Sequence, residues 1–301
     1  MNASVVIPTY NRLSDLRRVV SSLKDQTVPI GSSLEIVVVD DGSNDGTGPW
    51  LEEQAERSNL IVVRQANAGP AKARNRGVEA ANGDLILFLG DDTDPQPDWL
   101  MTHLSEHRLF GKEGPLAVLG YTSFPNDLES PFLRHINEWG AQFGYLLIEN
   151  PRDVPFNFFY TSNISLPRAE FERLGGFRED FPAAAWEDIE FAYRAAAEGL
   201  TLRYQPRART IHHHRILPRT FCRRQRTSGL SAAIFAGLHP ELRSFLGIEK
   251  LERKVPFRRL RRTLLWVAVE FGEIFEGVVP AGVYTEFLDA CYLDGLAEGL
   301  H

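Results

Sequence analysis

The sequence predicts an α/β fold, a mostly parallel central sheet with helices on both faces, extended by a C-terminal helical region. Short β-branched runs alternate with helically spaced apolar residues through the first half, the pattern of βαβ units. Acidic clusters follow several of these runs, where the loops of an open α/β sheet converge. From Pro218 onward every segment reads as helix. At 301 residues and 43% hydrophobic content the chain can bury a sizeable core. The expected division is an α/β unit over 1–217 and a helical region over 218–301.

In chain order, SVVIPT (4–9), LEIVVVD (34–40), NLIVVRQ (59–65) and DLILFLG (84–90) are the first strands. Between the first two, Leu13, Leu16, Val19, Val20 and Leu23 recur at helical spacing, and further helices fit 46–57 and 70–81. Beyond residue 110 the spacing predicts a strand over 116–122, a helix over 131–145, a strand over 157–166 and a helix from Glu187 to Glu198. TLRYQ and RTIHH read as two short strands before the helical region.

The net charge of −7 hides a division: residues 203–262 hold sixteen Lys/Arg against three Glu, a balance of +13, so the other 241 residues sum to −20. A basic block of this size calls for an anionic partner such as phosphate, acidic lipid or nucleic acid. Cys222 and Cys291 stand alone, which suggests neither a disulfide framework nor a thiolate metal site and fits a reducing cytoplasm. MNASVVIPTYNR lacks the basic start of a signal peptide. LLWVAV (264–269) falls well short of the roughly 18 apolar residues of a spanning helix, so the expectation is a soluble or peripheral protein. KVPFRRLRRTLLWVAVEF (254–271) suits a helix lying on an anionic bilayer, or, on a plainer reading, one packed on the α/β unit or a homodimer partner. Phe271, Phe275, Tyr284, Phe287 and Tyr292 read as core or interface aromatics.

Asp40-Asp41 closes the second strand, Asp91-Asp92 and Asp94 follow the fourth, and Trp186-Glu187-Asp188 opens a helix. Asp45 and Asp94 suit helix caps. The adjacent pair Asp91-Asp92 does not, because neighbouring carboxylates repel unless a cation or a ligand's hydroxyls absorb the charge. Mg²⁺ or Mn²⁺, held by one or two carboxylates and a substrate diphosphate, would absorb it.

In this order VVIPTYNR, VVDDGSNDG, NAGPAKARNRG, FLGDD, GGFREDF with WEDIEFAYR, and TIHHH resemble the signature of inverting family 2 glycosyltransferases with the Rossmann-like GT-A fold, over residues 4 to about 230. Each motif alone is weak; six in order are specific. The resemblance implies that Pro8, Thr9, Tyr10 and Arg12 form the first nucleotide-binding turn, and that Asp40 hydrogen-bonds the base. Gly69 would allow close backbone approach, with Ala71 and Arg74 lining the nucleotide and phosphate side. Asp92 matches the metal-binding acid, Asp91 would face the ribose or a metal-bound water, and His212 matches the histidine that often completes the metal site. His214 shares the strand face of His212, so either ring can serve. Asp188 matches the general base, with Glu187 as competitor for that role and Trp186 beside the acceptor. Arg215, Arg219, Arg223, Arg224 and Arg226 would either close over the diphosphate or form a solvated helix face.

One departure stands out: many relatives have Asp where this chain has Gly90, which leaves the identity and necessity of the metal open. The function implied is transfer of a sugar from a nucleotide-diphosphate sugar, UDP or dTDP favoured, to a hydroxyl of a cell-surface glycan or lipid-linked precursor. Such an enzyme would belong to bacterial cell-wall or polysaccharide synthesis, in the cytoplasm or at the inner face of the membrane, with no nucleic acid partner. The alternatives are a sugar-phosphate nucleotidyltransferase, against which PTYNR argues, and a degenerate polyanion-binding module without catalysis.

Overall fold

Strand β1 (Asn2–Thr9) is buried from Ala3 to Ile7, as a strand covered on both faces must be. The structure, a computed structural model, describes residues 1–58, 60–125, 130–181, 183, 185–214, 216–252, 258–275 and 279–300. Helix α1 (Leu13–Lys24) buries Leu16, Val19, Val20 and Leu23, its expected stripe. Then come β2 (Ser33–Asp40), α2 (Thr47–Arg57), β3 (Leu60–Arg64), α3 (Pro70–Ala80) and β4 (Leu85–Leu89). These four strands run parallel in the order β3-β2-β1-β4. Helix α3 lies close on this sheet because Gly77 has no side chain: a Cβ there would come within 2.3 Å of Val6 Cγ1.

The next elements are β5 (Thr93–Pro95) and α4 (Trp99–Phe110), neither of which the periodicity predicts. Helix α4 hides because its buried face, Trp99, Leu100, His103, Leu104 and His107, includes two histidines. Their hydrogen bonds form one chain. Asn163 Oδ1 accepts from Trp99 Nε1 at 2.7 Å and must also accept from His103 Nε2 at 3.1 Å, which fixes that tautomer. His103 Nδ1 then accepts from Ser165 Oγ, and Ser165 accepts from His107 Nε2, both at 2.8 Å. Burial pushes His103 down to about 4 and His107 to about 3, so both rings are neutral.

Strand β6 (Leu116–Ser123) is followed by α5 (Pro131–Glu138), β7 (Asn163–Pro167), α6 (Arg168–Arg173), α7 (Glu187–Ala197) and β8 (Thr201–His212). The expected helix over 131–145 stops early, since Gly140 and Ala141 take φ of +120° and +70°. The expected strand over 157–166 begins only at Asn163; Phe156–Phe158 is a 3₁₀ turn instead, with Phe156 against Tyr193 and Phe159 against Phe191 of α7. TLRYQ and RTIHH merge into β8, whose register against β6 shifts after Gln205, next to Pro206, which has no ladder N–H to offer. The full sheet order is β3-β2-β1-β4-β7-β6-β8-β5, with β7 antiparallel to β4 and β6, β8 parallel to β6, and β5 antiparallel to β8.

The chain divides into two compact units. The first comprises Met1–Pro125, Ile148–Glu179 and Glu187–His214 and contains the whole sheet. The second comprises Asn126–Leu147, Asp180–Trp186 and Arg215–His301. It contains α5, α8 (Pro218–Leu238), α9 (Ile248–Glu252), α10 (Arg258–Ile274) and α11 (Ala281–Gly299). Here Cys222 of α8 and Cys291 of α11 form a disulfide, which corrects the expectation of two unpaired thiols and removes its support for a reducing compartment. Tyr284 and Phe287 are buried, whereas Phe271 and Phe275 stack on each other and stay half exposed. Among the described residues no helix is long and apolar enough to cross a membrane.

Candidate functional site

The carboxyl ends of β1, β2 and β4 gather the first group of predicted residues. Thr9 ends β1 opposite Asp40 of β2, and its hydroxyl donates to Asp91 Oδ2 at 2.8 Å. Arg12, at the mouth of α1, donates through Nη1 to Asp92 Oδ2 and lies 4.0 Å from Asp91. Strand β8 brings His212 to the same place, its Nε2 3.3 Å from Asp92 Oδ1. Asp92 and His212, 120 residues apart in the chain, are therefore neighbours.

Their electrostatics differ sharply. Burial, reinforced by the adjacent Asp92 charge, pushes the Asp91 carboxyl up to about 7, against the pull of Arg12 and Thr9. Burial acts on Asp92 too, but His212 and the Arg12 guanidinium overcome it and hold that carboxyl well below the usual range. One acid of the pair thus stays ionised while its neighbour readily holds a proton. The His214 ring is 6.0 Å from that of His212 and partly shielded from solvent, and that desolvation, followed by Arg12, lowers its pKa. Asp94 does not cap a helix as expected: it pairs with Arg18 of α1 at 2.9 Å and with His213 at 3.0 Å. The N-cap of α2 is Gly46, one residue after Asp45, which accepts from the Thr47 N–H and from the Leu13 N–H.

An octahedral cation holds adjacent ligands about 3 Å apart when each lies at about 2.1 Å. The 3.3 Å between Asp92 Oδ1 and His212 Nε2 suits that spacing. His212 Nδ1 is buried without a partner, so no second hydrogen bond fixes the tautomer, and Nε2 can present a lone pair. Among the described residues no cluster of three or more His, Cys, Asp or Glu suits a metal, so the remaining ligands would come from substrate and water. The Gly90 departure is also physical. A Cβ at Gly90 would come within 2.7 Å of Thr93 Oγ1, the hydroxyl that hydrogen-bonds Asp92 Oδ1.

The nucleotide side lies along β2 and α3. Asp40 is buried; its Oδ1 accepts from the Ser43 N–H at 2.9 Å, while Oδ2 has no hydrogen-bond partner and stands 3.5 Å from Arg64 Nε. Tyr10 is exposed, Pro8 half-buried and Ala71 buried at the start of α3. Gly69, at φ +90°, precedes α3 and donates its N–H to Asp41. Asp41 was given no role by the sequence; it accepts from Gln65 Nε2 and the N–H groups of Ala68 and Gly69, and so shapes the loop that carries Gly69.

At the first turn of α7, Glu187 is buried and its Oε1 accepts from Arg74 Nη1 at 2.8 Å. Burial, then the neighbouring Asp188, pushes Glu187 up to about 7 despite Arg74. Arg74 thus faces Glu187, where the resemblance implied a phosphate contact. Asp188 is half-buried, and its Oδ2 accepts from both the N–H and the hydroxyl of Thr161 at 3.2 Å. Thr161 carries no signal in the sequence. The next residue, Ser162, accepts at its carbonyl from the Gly90 N–H at 3.4 Å, which links the Asp188 loop to the Asp91-Asp92 turn.

Trp186, at φ +75°, belongs to the second unit, where its indole N–H donates to the Ser228 carbonyl and its ring packs on Phe235, Phe245 and Tyr292. In the same unit Arg219 pairs with Glu270, Arg226 with Glu298, and Arg224 donates to Gln142. Arg215 and residues 254–257 of the basic segment lie outside the described residues.

Residues 4–170 match the family described as "Glycosyl transferase family 2". The validoxylamine A glucosyltransferase of Streptomyces hygroscopicus subsp. jinggangensis (strain 5008) is 31% identical over 223 residues, covering 66% of this chain and 52% of that protein. The pre-mycofactocin glycosyltransferase of Mycobacterium tuberculosis (strain ATCC 25618 / H37Rv) is 29% identical over 262 residues, covering 80% and 48%. The chain thus spans about half the length of these relatives. Among solved structures, the mannosyltransferase PcManGT of Pyrobaculum calidifontis, in complex with GDP-Man and Mn²⁺, superposes with a TM-score of 0.65 at 19% identity, covering 99% of this chain and 86% of that one. S. aureus TarS 1-349 in complex with UDP-GlcNAc gives 0.58 at 19% identity, covering 100% and 90%. At these identities the two structures speak for the GT-A fold.

Proposed function

The chain belongs to glycosyltransferase family 2, and from that premise we propose that it is an inverting transferase moving a sugar from UDP or dTDP to a hydroxyl of a glycan or lipid-linked acceptor. What carries the reading is one connected path. Thr161 fixes Asp188, Ser162 joins Gly90, and Gly90 leads into Asp91, Asp92 and, across β8, His212. Inversion needs a base on one side of the anomeric carbon and charge stabilisation of the leaving diphosphate on the other, and this path joins one candidate of each kind.

In this proposal Asp188 takes the proton of the attacking hydroxyl. Its Oδ2 is occupied by Thr161, and among the described residues Oδ1 meets only its neighbour's N–H, that of Ile189, at 3.0 Å. Oδ1 is therefore the oxygen with acceptor capacity to spare. Arg12 supplies fixed positive charge near the diphosphate. Asp92 and His212 would hold Mg²⁺ or Mn²⁺, which when bound acts as a Lewis acid toward the diphosphate. The buried Asp40 Oδ2, which has Arg64 Nε 3.5 Å away but no hydrogen-bond donor, suits the imide N–H of uracil or thymine, which supports UDP or dTDP as the donor nucleotide. Trp186 stands two residues before the proposed base in sequence and would contact the acceptor. The exposed Leu264, Val267 and Phe271 of α10 suit peripheral contact of the 254–271 segment with a membrane bearing a lipid-linked acceptor.

Asp188→Asn tests the reading. Transfer should fall by roughly 10² to 10⁴ while UDP affinity, read by calorimetry, holds. Equal loss of both would make Asp188 structural. Thermal-shift screening of UDP, dTDP and GDP with and without Mn²⁺ tests the donor, since a bound ligand raises apparent stability by mass action.

A further inference from the structure

The buried Arg74–Glu187 pair is not used by the chemistry above, yet it joins α3 to the first turn of α7, one residue before Asp188. Both partners are nearly excluded from solvent, at 11% and 2% side-chain exposure, and Arg74 Nε and Glu187 Oε2 have no partner of their own. Isolated ionised groups are rarely buried for stability alone, because desolvation offsets most of the attraction. The surroundings show a recurrent use of α3 and α7 as clamps. Asn75, next to Arg74, donates to the Phe177 carbonyl at 2.8 Å and accepts from the Phe177 N–H at 3.0 Å. Arg194 of α7 grips the buried Glu190 through Nε and donates to the carbonyls of Leu174 and Gly176. These bonds tie residues 174–177 to α3 and to α7. The backbone needs such restraint, since Trp186, just before Glu187, sits in the left-handed region that costs a bulky residue energy.

We propose that Arg74 is a positioning residue: it acts through Glu187 to set the height and rotation of the first turn of α7, and so the place of the Asp188 carboxylate, and does not bind the diphosphate. This rests on Asp188 being the base.

The test uses the full chain with UDP-glucose as probe donor and water as acceptor, UDP release giving kcat and calorimetry giving UDP affinity. Arg74→Gln and Glu187→Gln should each lower kcat by about tenfold to a hundredfold and change the UDP Kd less than threefold. The double variant should be no worse than the poorer single, as expected for two groups acting as one device. A tenfold rise in UDP Kd for Arg74→Gln at unchanged kcat would overturn the proposal and make Arg74 a diphosphate ligand, and additive losses would overturn it as well. Asp188→Asn, measured alongside, separates the two ideas. If it keeps turnover, the base assignment fails; if it loses turnover while Arg74→Gln keeps it, only the positioning role fails. Crystal structures of Arg74→Gln and Glu187→Gln read the same point without turnover: Asp188 Oδ2 should leave Thr161, and an unchanged contact in both would overturn the proposal.

Discussion

Glu187→Gln offers a stability measurement whose sign and size follow from burial. Glu187 titrates near 4.5 when unfolded and is pushed to about 7 in the fold. Between those values the folded protein binds the proton more than the unfolded chain does, so the group's contribution makes stability fall as pH rises, and its cost is fully present above pH 7. At 1.36 kcal/mol per pH unit the shift amounts to about 3 kcal/mol, of which about 2 to 3 kcal/mol develops between pH 5 and pH 8. Glutamine keeps the shape and cannot titrate. Urea unfolding of both proteins at pH 5 and pH 8 should therefore move the stability difference in the variant's favour by up to that amount at the higher pH. Asp91, also raised to about 7, titrates in both proteins and cancels. A stability difference that is the same at both pH values would refute the claim that Glu187 is held protonation-prone by burial. A shift of the opposite sign would mean that Arg74 dominates.

Asn163→Ala should cost about 3 kcal/mol or more in chemical unfolding, because Trp99 Nε1, His103 Nε2 and the Ala208 carbonyl all lose a buried partner at about 1 to 3 kcal/mol each. Reducing Cys222–Cys291 should lower the unfolding temperature of the helical unit: releasing a 69-residue loop is worth up to about 4 kcal/mol, read by calorimetry with and without dithiothreitol. Asp41→Ala should speed amide exchange at Ala68 and Gly69 at least tenfold, since both N–H groups lose their acceptor, and should weaken UDP binding in parallel.

The parallel half of the sheet was legible because its signal is local. Short continuous apolar runs from Val5 to Leu89, the helices between them with apolar residues recurring every 3.6 positions, and the acids that follow the runs are all countable in the sequence. The same locality put Asp40, Asp91 and Asp92 at strand ends, and the motif order brought in Asp188 and His212. Other features depended on partners far along the chain. Helix α4 stayed hidden because His103 and His107 look polar until Ser165, about 60 residues away, satisfies them in the core. Nothing near Arg74 in the sequence shows that Glu187, 113 residues on, accepts its hydrogen bond, and nothing in sequence distinguishes Thr161 or pairs Cys222 with Cys291. The sequence by itself determined which segments become strands and helices and where carboxylates cluster, because those depend on neighbours within a turn or two. Only the tertiary structure decided which charges neutralise one another, since a buried ion's partner is chosen by where the packed sheet and helices bring distant side chains together.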